Sequence, residues 1–235
     1  MNTVLVVAAH PDDAEIGMGG SIAKMIDAGW NVTIVDLTDG EPTPFGSKKI
    51  RSEETKNASE ILGIQKRICL DMPNRYLQET LQNRRKLAEL IRSIKPDILF
   101  SHLTPDWHPD HIAALKLTNG ARFEAKYHKT KMGTRPHWTP KMFQFYSPHR
   151  FQYRNPSFII DISDYWEKKI AAIQAYQSQL KNAPPANQPT HIEKITIVSR
   201  YFGQSIGVRY GEPFIASSPI SVKNLQLLSD SETKN

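Results

Sequence analysis

The stretch "VLVVAAHPDDAEIGMGG", Val4–Gly20, decides how the chain folds. Its first six residues, Val4–Ala9, are small or branched and apolar, which is typical of a strand buried on both faces of a parallel sheet. The run then ends in His10 and two adjacent carboxylates, Asp12 and Asp13. Two carboxylates at the end of a buried strand repel each other unless a positive group lies between them. The opening of the chain therefore predicts a strand that leads into a cation site.

Strand and helix patterns alternate through the first half of the chain. We predict strands at Val4–Ala9, Val32–Leu37, Arg67–Leu70 and Asp97–His102, and helices at Ser21–Ala28, Ile50–Leu62, Leu81–Ile94 and Pro109–Tyr127. This order predicts an α/β fold with a Rossmann-like, mostly parallel sheet and helices on both faces. The second half is less regular and predicts a smaller, irregular C-terminal lobe, with strands at 141–146, 157–162 and 211–217 and helices at Tyr165–Leu180 and Ile192–Ile206.

Composition limits the class of protein. The chain has 235 residues, of which 39% are hydrophobic, so we expect one domain over residues 1–225 and a disordered polar tail over 226–235. The formal charge is +6, but the basic residues are dispersed, which favours solvated helix faces over a nucleic-acid surface. No apolar run approaches the roughly 18 residues of a membrane span, and no leader pattern precedes the first strand, so we expect a soluble, cytoplasmic protein.

A second polar cluster, "DWHPDH", follows the strand Asp97–His102 and opens a helix. His-Pro-Asp thus occurs twice, each time just after a strand, and the carboxyl ends of parallel strands meet at one edge of the sheet. His10, Asp13 and His111 would supply the three ligands of a catalytic zinc site, which leaves a fourth position for water. Other divalent transition metals accept the same ligands. The single cysteine excludes an intramolecular disulfide and a Cys-rich zinc site.

Residues beside these ligands suit proton transfer. A carboxylate next to a metal site can take a proton from water, so we expect Asp12 to be the general base. Pro109 fits the first position of a helix, which makes His108 its N-cap. If protonated, His108 would stabilise an oxyanion or protonate a leaving group, and we expect the Asp110 carboxylate to hold the His108 imidazole in place.

Other residues leave two interpretations open. Glu41, in "TDGE", belongs either to a turn or to the wall of the site. Arg51 is either an exposed helix arginine or a group that binds an anionic part of a substrate. The glycines at 17, 19 and 20 do not match a phosphate-binding loop, so we expect them to bring the backbone close to the metal loop or to adopt positive φ. We expect His102 to be a core residue.

The quoted motifs, together with Arg51 and Glu54 after "DLTDGE", resemble the LmbE/PIG-L family of zinc-dependent N-acetylglucosaminyl deacetylases. The resemblance runs from Val4 to about Ser218 and includes "AYQSQL" and "RYFGQSIGVRYGEPF". It implies that His10, Asp13 and His111 are the zinc ligands and that Asp12 is the base. It also implies that His108, held by Asp110, stabilises the oxyanion and that Arg51 lies near the substrate. Relatives often carry arginine where this chain has Trp107, whose indole could instead stack on a sugar face.

The C-terminal stretches are most similar to the bacillithiol-biosynthesis branch of that family. This implies removal of acetate from N-acetyl-glucosaminyl-malate, with another acetylated sugar or a chitooligosaccharide as the alternative substrate. It also implies a small-molecule partner and a homo-oligomer, a hexamer in many relatives. Two other classes stay open at this point: a two-metal phosphoesterase, and a non-catalytic metal- or sugar-binding module. A nucleic-acid binder lacks any aromatic–basic motif in support.

Overall fold

The computed structural model describes residues 2–147, 154–181 and 184–221. The predicted tail, 226–235, lies outside the described residues. Within them, no helix combines the length and the apolar character that crossing a membrane requires.

The described elements follow one another in chain order. Strands are β1 Thr3–Ala8, β2 Asn31–Thr38, β3 Lys66–Met72, β4 Ile98–His102, β5 Lys141–Phe145, β6 Phe158–Asp161 and β7 Gly211–Ala216. Helices are α1 Asp13–Asp27, α2 Lys48–Leu62, α3 Leu81–Ile94, α4 Pro109–Ala125, α5 Trp166–Gln174, α6 Gln177–Leu180 and α7 His191–Ser205, with a short 3₁₀ helix at Ser163–Tyr165.

These strands form one sheet of seven, in the order β3-β2-β1-β4-β5-β7-β6. Neighbours from β3 to β5 are parallel, and among the described strands β7 alone runs opposite to the rest. One apolar cluster joins the sheet to α3 and α4, and a second joins it to α1, α2 and α5. The prediction of an α/β fold with helices on both faces is therefore confirmed. The C-terminal half continues the same sheet with β5, β6 and β7.

Strand order places the two histidine motifs side by side. β1 pairs with β2 on one side and with β4 on the other. Strands β2 and β3 are therefore added on one side of β1, and β4 and β5 on the other, so the strand order reverses next to β1. A crevice opens at such a reversal, at the carboxyl ends of the strands. His10 follows β1, and residues 106–111 follow β4, so both motifs lie at this crevice.

Helix α1 begins at Asp13, eight residues before the predicted start at Ser21. It has a break at Met18, where φ is −153° and ψ is 25°. The buried Glu212 carboxylate of β7 accepts hydrogen bonds from the backbone N–H groups of Gly20 (3.0 Å) and Ser21 (2.7 Å). Lys169 Nζ neutralises that carboxylate at 2.6 Å. The predicted helix start at Ser21 therefore marks where the second half of α1 begins, after the break, with the Glu212 carboxylate as its cap.

The glycines of α1 serve helix packing. A Cβ on Gly17 would lie 2.4 Å from the Phe145 ring, and one on Gly20 would lie 2.7 Å from Ile162. Gly17 and Gly20 are both absent from the positive-φ glycines of the described chain. The expectation of positive φ at the glycines 17, 19 and 20 is therefore wrong. Gly17 and Gly20 instead make room for Phe145 of β5 and for Ile162, which follows β6.

The predicted helix Tyr165–Leu180 is two helices, α5 and α6, which are interrupted at Ala175 and Tyr176. Tyr176 leaves the helical conformation, with φ −84° and ψ 59°. Its hydroxyl donates to buried Glu15 Oε1 at 3.0 Å. The interruption turns α6 towards the crevice described above.

Arg92 closes the carboxyl end of α4. Its side chain is buried and donates to three backbone carbonyl oxygens, those of Ala125 (2.8 Å), Thr134 (3.1 Å) and Tyr127 (2.5 Å). We expect Arg92→Leu to lower the free energy of unfolding by about 2–4 kcal/mol, because the three carbonyls lose their donor. Urea unfolding measures the change. Exposed Arg135→Leu is the control and should shift stability by less than about 0.5 kcal/mol. Equal effects of the two changes would contradict the assignment.

Candidate metal centre and active site

Asp12 and Asp13 diverge because the backbone turns sharply between β1 and α1. Asp12 has φ 108°, a left-handed conformation that is strained for a residue with a side chain. Its carbonyl oxygen accepts from Ile16 N–H at 2.9 Å, which starts α1. Asp13 Oδ2 turns back to accept from His10 N–H at 2.8 Å. Neighbouring carboxylates thereby face different groups.

His10, Asp13 and His111 meet in the crevice. Asp13 Oδ2 lies 3.3 Å from His10 Nδ1, and Asp13 Oδ1 lies 3.2 Å from His111 Nε2. One nitrogen or oxygen from each residue falls within 4.8 Å of the others, a spacing that can hold a metal ion. The predicted trio is therefore brought together by the fold. His10, His108 and Asp110 form a second group of this spacing, which shares His10 with the first.

The far nitrogen of each histidine contacts an outer carboxylate. His10 Nε2 lies 3.1 Å from Asp110 Oδ2, and His111 Nδ1 lies 3.1 Å from Asp106 Oδ2. Metal-binding histidines in proteins are commonly oriented by such carboxylates. This pattern leaves His10 Nδ1 and His111 Nε2 to face Asp13. The outer carboxylates therefore favour the His10–Asp13–His111 group as the ligand set.

Asp106 was missed at the level of sequence, although it opens the "DWHPDH" motif. Its Oδ1 also accepts from His108 N–H at 2.9 Å, so one carboxylate contacts both the N-cap of α4 and His111 in its first turn. A carboxylate five residues before a candidate ligand was the available signal.

The role expected for Asp110 needs correction. Its carboxylate accepts from Arg75 N–H (2.7 Å) and Leu77 N–H (3.1 Å) and contacts His10. Its contact with His108 runs through the backbone, because Asp110 N–H donates to His108 Nδ1 at 3.2 Å. The N-cap geometry of α4 causes this, since it turns the His108 side chain towards the helix backbone. Asp110 thus orients His10 instead of His108.

Charge is balanced within the cluster. Burial would lower the pKa of His10 and of His111, but nearby carboxylates raise these pKa values to about 9 and about 10. Burial would raise the pKa of Asp13, but His111, His102 and His10 hold it well below its usual range. Two imidazolium charges thus neutralise the carboxylates, and a divalent cation would supply the same charge. The donor set therefore fits a divalent metal ion.

His108 is a neutral imidazole in this environment. Burial lowers its pKa to about 4, with the positive charges of His111 and His10 acting in the same direction. Because Nδ1 accepts a backbone hydrogen bond, the proton of the neutral ring lies on Nε2. Of the two roles expected for His108, this environment favours that of a neutral Nε2–H donor to an oxyanion.

His102 lies under the cluster as a fully buried residue. Its Nε2 accepts from Ala9 N–H at 2.9 Å, and its ring stacks on His111 with centroids 4.2 Å apart. Burial lowers the pKa of His102 to about 4, so it is neutral. These contacts agree with a core residue that supports His111.

Asp12 faces Arg51 instead of the histidines. Arg51 Nη1 lies 3.4 Å from Asp12 Oδ2, and the Arg51 guanidinium lies 5.6 Å from the centre of the Tyr176 ring. Burial raises the pKa of Asp12 to about 7, against the opposing charge of Arg51. A carboxylate with such a pKa can both take and return a proton near neutral pH.

A cleft of about 490 Å³ opens over these residues. Arg51 and Trp107 line it, and Trp107 is 71% exposed at its mouth. Glu41 is nearly buried and accepts two hydrogen bonds from Thr43, so we assign it to support of the wall. The residue before α6, α6 itself and the start of α7 also line the cleft, with Tyr176, Gln179, Leu180, His191, Lys194 and Ile195.

Asp106→Asn is expected to weaken metal binding by about 10- to 100-fold, because an amide neither fixes the His111 tautomer nor increases its basicity as a carboxylate does. Competition with a chromophoric chelator measures the dissociation constant. Asp97→Asn, which alters a carboxylate at the opposite end of β4, is the control. An unchanged dissociation constant in Asp106→Asn would remove Asp106 from the metal centre.

The fold and the site define an α/β protein whose mostly parallel sheet carries, at its carboxyl edge, a His–Asp–His group that can hold a metal ion. The family model for GlcNAc-PI de-N-acetylase (PIG-L) matches residues 5–121. A diacetylchitobiose deacetylase from Thermococcus kodakarensis is 31% identical over 229 residues, which cover 89% of this chain and 80% of that protein. The chain belongs to the PIG-L family.

Two further similarities show the range of the family. A 4-oxalmesaconate hydratase from Pseudomonas putida is 32% identical over 200 residues, 76% of each chain. The crystal structure of the conserved protein TT1542 from Thermus thermophilus superposes with a TM-score of 0.85 at 36% identity, over 94% of this chain and 97% of that one. The shared fold therefore carries more than one chemistry.

Proposed function

We propose that this protein is a metal-dependent hydrolase that removes acetate from an N-acetylglucosamine conjugate. The observation that carries the proposal is the convergence of His10, Asp13 and His111 with Asp12 and His108 in one cleft. Membership of the PIG-L family and the similarity to a diacetylchitobiose deacetylase support it.

The metal ion would be held by His10 Nδ1, one carboxylate oxygen of Asp13 and His111 Nε2. Zinc suits two nitrogen ligands and one oxygen ligand with an open position, and other divalent transition metals remain compatible. When bound, the ion supplies a Lewis acid that polarises the acetamide carbonyl and makes water more acidic.

The chain's own residues move the protons. Asp12 takes a proton from the attacking water through a carboxylate oxygen, as the C–O bond to the acetyl carbon forms. His108 donates from Nε2–H to the carbonyl oxygen, where negative charge develops. Asp12 then returns its proton to the sugar nitrogen as the C–N bond breaks. The products are acetate and a free amino sugar.

The walls of the cleft favour an anionic conjugate. Arg75, Lys194 and His191 line it together with Arg51. Once a dication balances Asp12 and Asp13, the cations of Arg75 and Lys194 give the cleft a positive character that attracts a carboxylate. This supports N-acetyl-glucosaminyl-malate, the bacillithiol precursor, as the substrate. A chitooligosaccharide is the alternative, which the Thermococcus relative and a stacking role for Trp107 support.

Our expectations of cytoplasmic location and of a homo-oligomer, a hexamer by family resemblance, remain part of this proposal. Sedimentation velocity of the purified chain tests the assembly: a hexamer would support the resemblance, and a monomer would contradict it.

The test of the proposed function measures free amine after incubation of metal-loaded protein with N-acetyl-glucosaminyl-malate, diacetylchitobiose and N-acetylglucosamine. We expect amine from the malate conjugate at the highest kcat/KM. Preference for diacetylchitobiose would keep the deacetylase and overturn the malate assignment. No amine from any of the three would overturn the deacetylase.

Hydration of a carbon–carbon double bond is a second candidate, because the Pseudomonas hydratase matches three quarters of the chain. Loss of the 4-oxalmesaconate absorbance in the presence of the protein would favour it. A phosphoesterase would need two metal ions, whereas the two possible metal groups of the described residues share His10. Two equivalents of metal per chain would support that class. A binding module would bind sugar without releasing amine.

A further inference from the structure

Six polar residues on three segments form a chain of contacts beside the cleft, which we call the polar belt. Its members are Arg51 and Glu54 on α2, Ser178 and Gln179 on α6, and Glu41 and Thr43 in the loop after β2. The contacts run from Glu54 to Arg51, so both ends of the chain lie on α2. The belt therefore links three of the segments that build the cleft.

Glu54 holds α6 through two hydrogen bonds. Its Oε1 accepts from Ser178 N–H, and its Oε2 accepts from Ser178 Oγ–H, both at 2.7 Å. Gln179 Nε2 donates to Ser178 Oγ at 2.8 Å, and this hydrogen bond orients the side-chain amide of Gln179. One carboxylate thus fixes the start of a helix of only four residues.

The belt continues through the loop after β2 to Arg51. Gln179 Nε2 also donates to Thr43 Oγ1 at 3.2 Å. Thr43 Oγ1 donates to Glu41 Oε1 at 2.8 Å, and that oxygen lies 3.7 Å from Arg51 Nε. Arg51 Nη1 then reaches Asp12 outside the belt at 3.4 Å. The position of the proposed base is therefore connected to the position of α6.

Glu54 is an unusual choice for a purely structural contact. It is buried, and within the described chain its carboxylate has no ion pair and bonds only to Ser178. A buried carboxylate costs free energy unless its hydrogen bonds are satisfied, and apolar side chains would pack two helices without that penalty. Hydrogen bonds are directional, so the two bonds from Ser178 to Glu54 fix the orientation of α6, which apolar packing alone would not do.

We propose that Glu54 is a positioning residue of the deacetylation reaction, which fixes α6 in the cleft wall and, through the polar belt, holds Arg51 against Asp12. The inference rests on the proposed deacetylase function. Arg51 engages Oδ2 of Asp12, so its placement sets which way the second oxygen of that carboxylate points. Release of α6 would also displace the cleft-lining side chains of Gln179 and Leu180.

Substitution at Glu54 tests the role. Glu54→Ala should lower kcat/KM for the best substrate by about 10- to 100-fold, since small displacements of positioning groups have effects of this size. Metal content should stay at the wild-type value, because the metal ligands are untouched. Glu54→Gln should retain activity within about threefold, since an amide keeps one acceptor and adds one donor for Ser178. Equal losses in Glu54→Ala and Glu54→Gln would overturn the inference.

Arg92→Leu supplies the matched control for stability. It removes a buried charged side chain at the far end of α4, away from the cleft. If its kcat/KM falls as much as that of Glu54→Ala at an equal drop in melting temperature, the loss reflects general destabilisation and the inference is overturned. Wild-type kcat/KM in Arg92→Leu supports it.

A double-mutant cycle tests the connection to Arg51. If Glu54 acts through Arg51, the variant that carries both Glu54→Ala and Arg51→Ala should lose at least about fivefold less than the product of the single losses. Glu53 is exposed on the same helix and serves as the control. The loss of kcat/KM in the variant that carries Glu53→Ala and Arg51→Ala should equal the product of the two single losses. Multiplicative losses for Glu54 and Arg51 would overturn the proposed connection.

Hydrogen exchange separates this inference from the proposed function. In Glu54→Ala the Ser178 amide loses its acceptor and should exchange at least about tenfold faster, while β1 amides keep wild-type rates. Absence of amine release by the wild type would overturn the proposed function. Unchanged exchange at Ser178 would overturn the positioning role, whatever the wild type catalyses.

Discussion

Asp12→Asn is expected to lower kcat for deacetylation by about 100- to 10,000-fold, the range that a positioned general base contributes. Asparagine keeps the shape of Asp12 and its contact with Arg51 Nη1, but an amide cannot take a proton from water. Metal content and KM should change little, because Asp12 lies beside the proposed ligand set of His10, Asp13 and His111 and is not part of it. Amine release under saturating substrate, with metal quantified by mass spectrometry, measures both quantities.

Asp71→Asn is the control for this variant, since Asp71 is an exposed carboxylate in β3. Its kcat should equal the wild-type value. If Asp12→Asn keeps more than about a tenth of the activity, Asp12 is not the base. Loss of metal from Asp12→Asn would instead place Asp12 among the ligands.

Asp13→Ala is expected to abolish metal binding and, with it, activity by roughly 1,000-fold or more, about 4 kcal/mol of transition-state stabilisation. Asp13 lies between both histidines, at 3.3 Å from His10 and 3.2 Å from His111. Its removal deletes one ligand and also leaves two imidazoles without their shared anion. Metal content after dialysis, followed by the amine assay, measures the effect.

Asp27→Ala, at the exposed end of the same helix, controls for the loss of a carboxylate from α1. It should bind one equivalent of metal and retain full activity. Together with Asp12→Asn, the Asp13 variant separates proton transfer from metal binding, because only Asp13→Ala should lose the metal. A metal-loaded Asp13→Ala protein would show that the ligand set is a different one.

Local patterns predict much of this fold. The apolar run Val4–Ala9 identifies a strand buried on both faces, and the sheet places β1 in its interior. The start of α1 escapes prediction because its glycines have low helix propensity, while their partners, Phe145 and Ile162, lie far along the chain. The break between α5 and α6 likewise depends on distant Glu15, which binds the hydroxyl of Tyr176.

The sequence likewise predicts one part of the candidate site, the meeting of the two histidine motifs, and leaves the contacts of individual side chains undetermined. Repetition of His-Pro-Asp after two strands suffices to bring His10 and His111 together, since parallel strands end at one edge. Which nitrogen a carboxylate contacts depends on rotamers that the sequence does not specify. Asp110 therefore reaches His10 instead of His108, and Asp106 enters the site although only its neighbours were expected there.

The placement of β7 has a consequence for how the chain is made. β7 lies between β5 and β6, which precede it in the sequence. Among the described strands β6 pairs with β7 alone, so this pairing waits until residues 211–216 leave the ribosome. The same strand brings Glu212 to the break in α1, a few residues after the proposed ligand Asp13. A nascent chain shorter than this would expose the edge of β5 and an uncapped α1, and such open edges promote aggregation. Strand β7, the last to be synthesised, therefore completes the capping of helix α1, which begins at Asp13 in the candidate site.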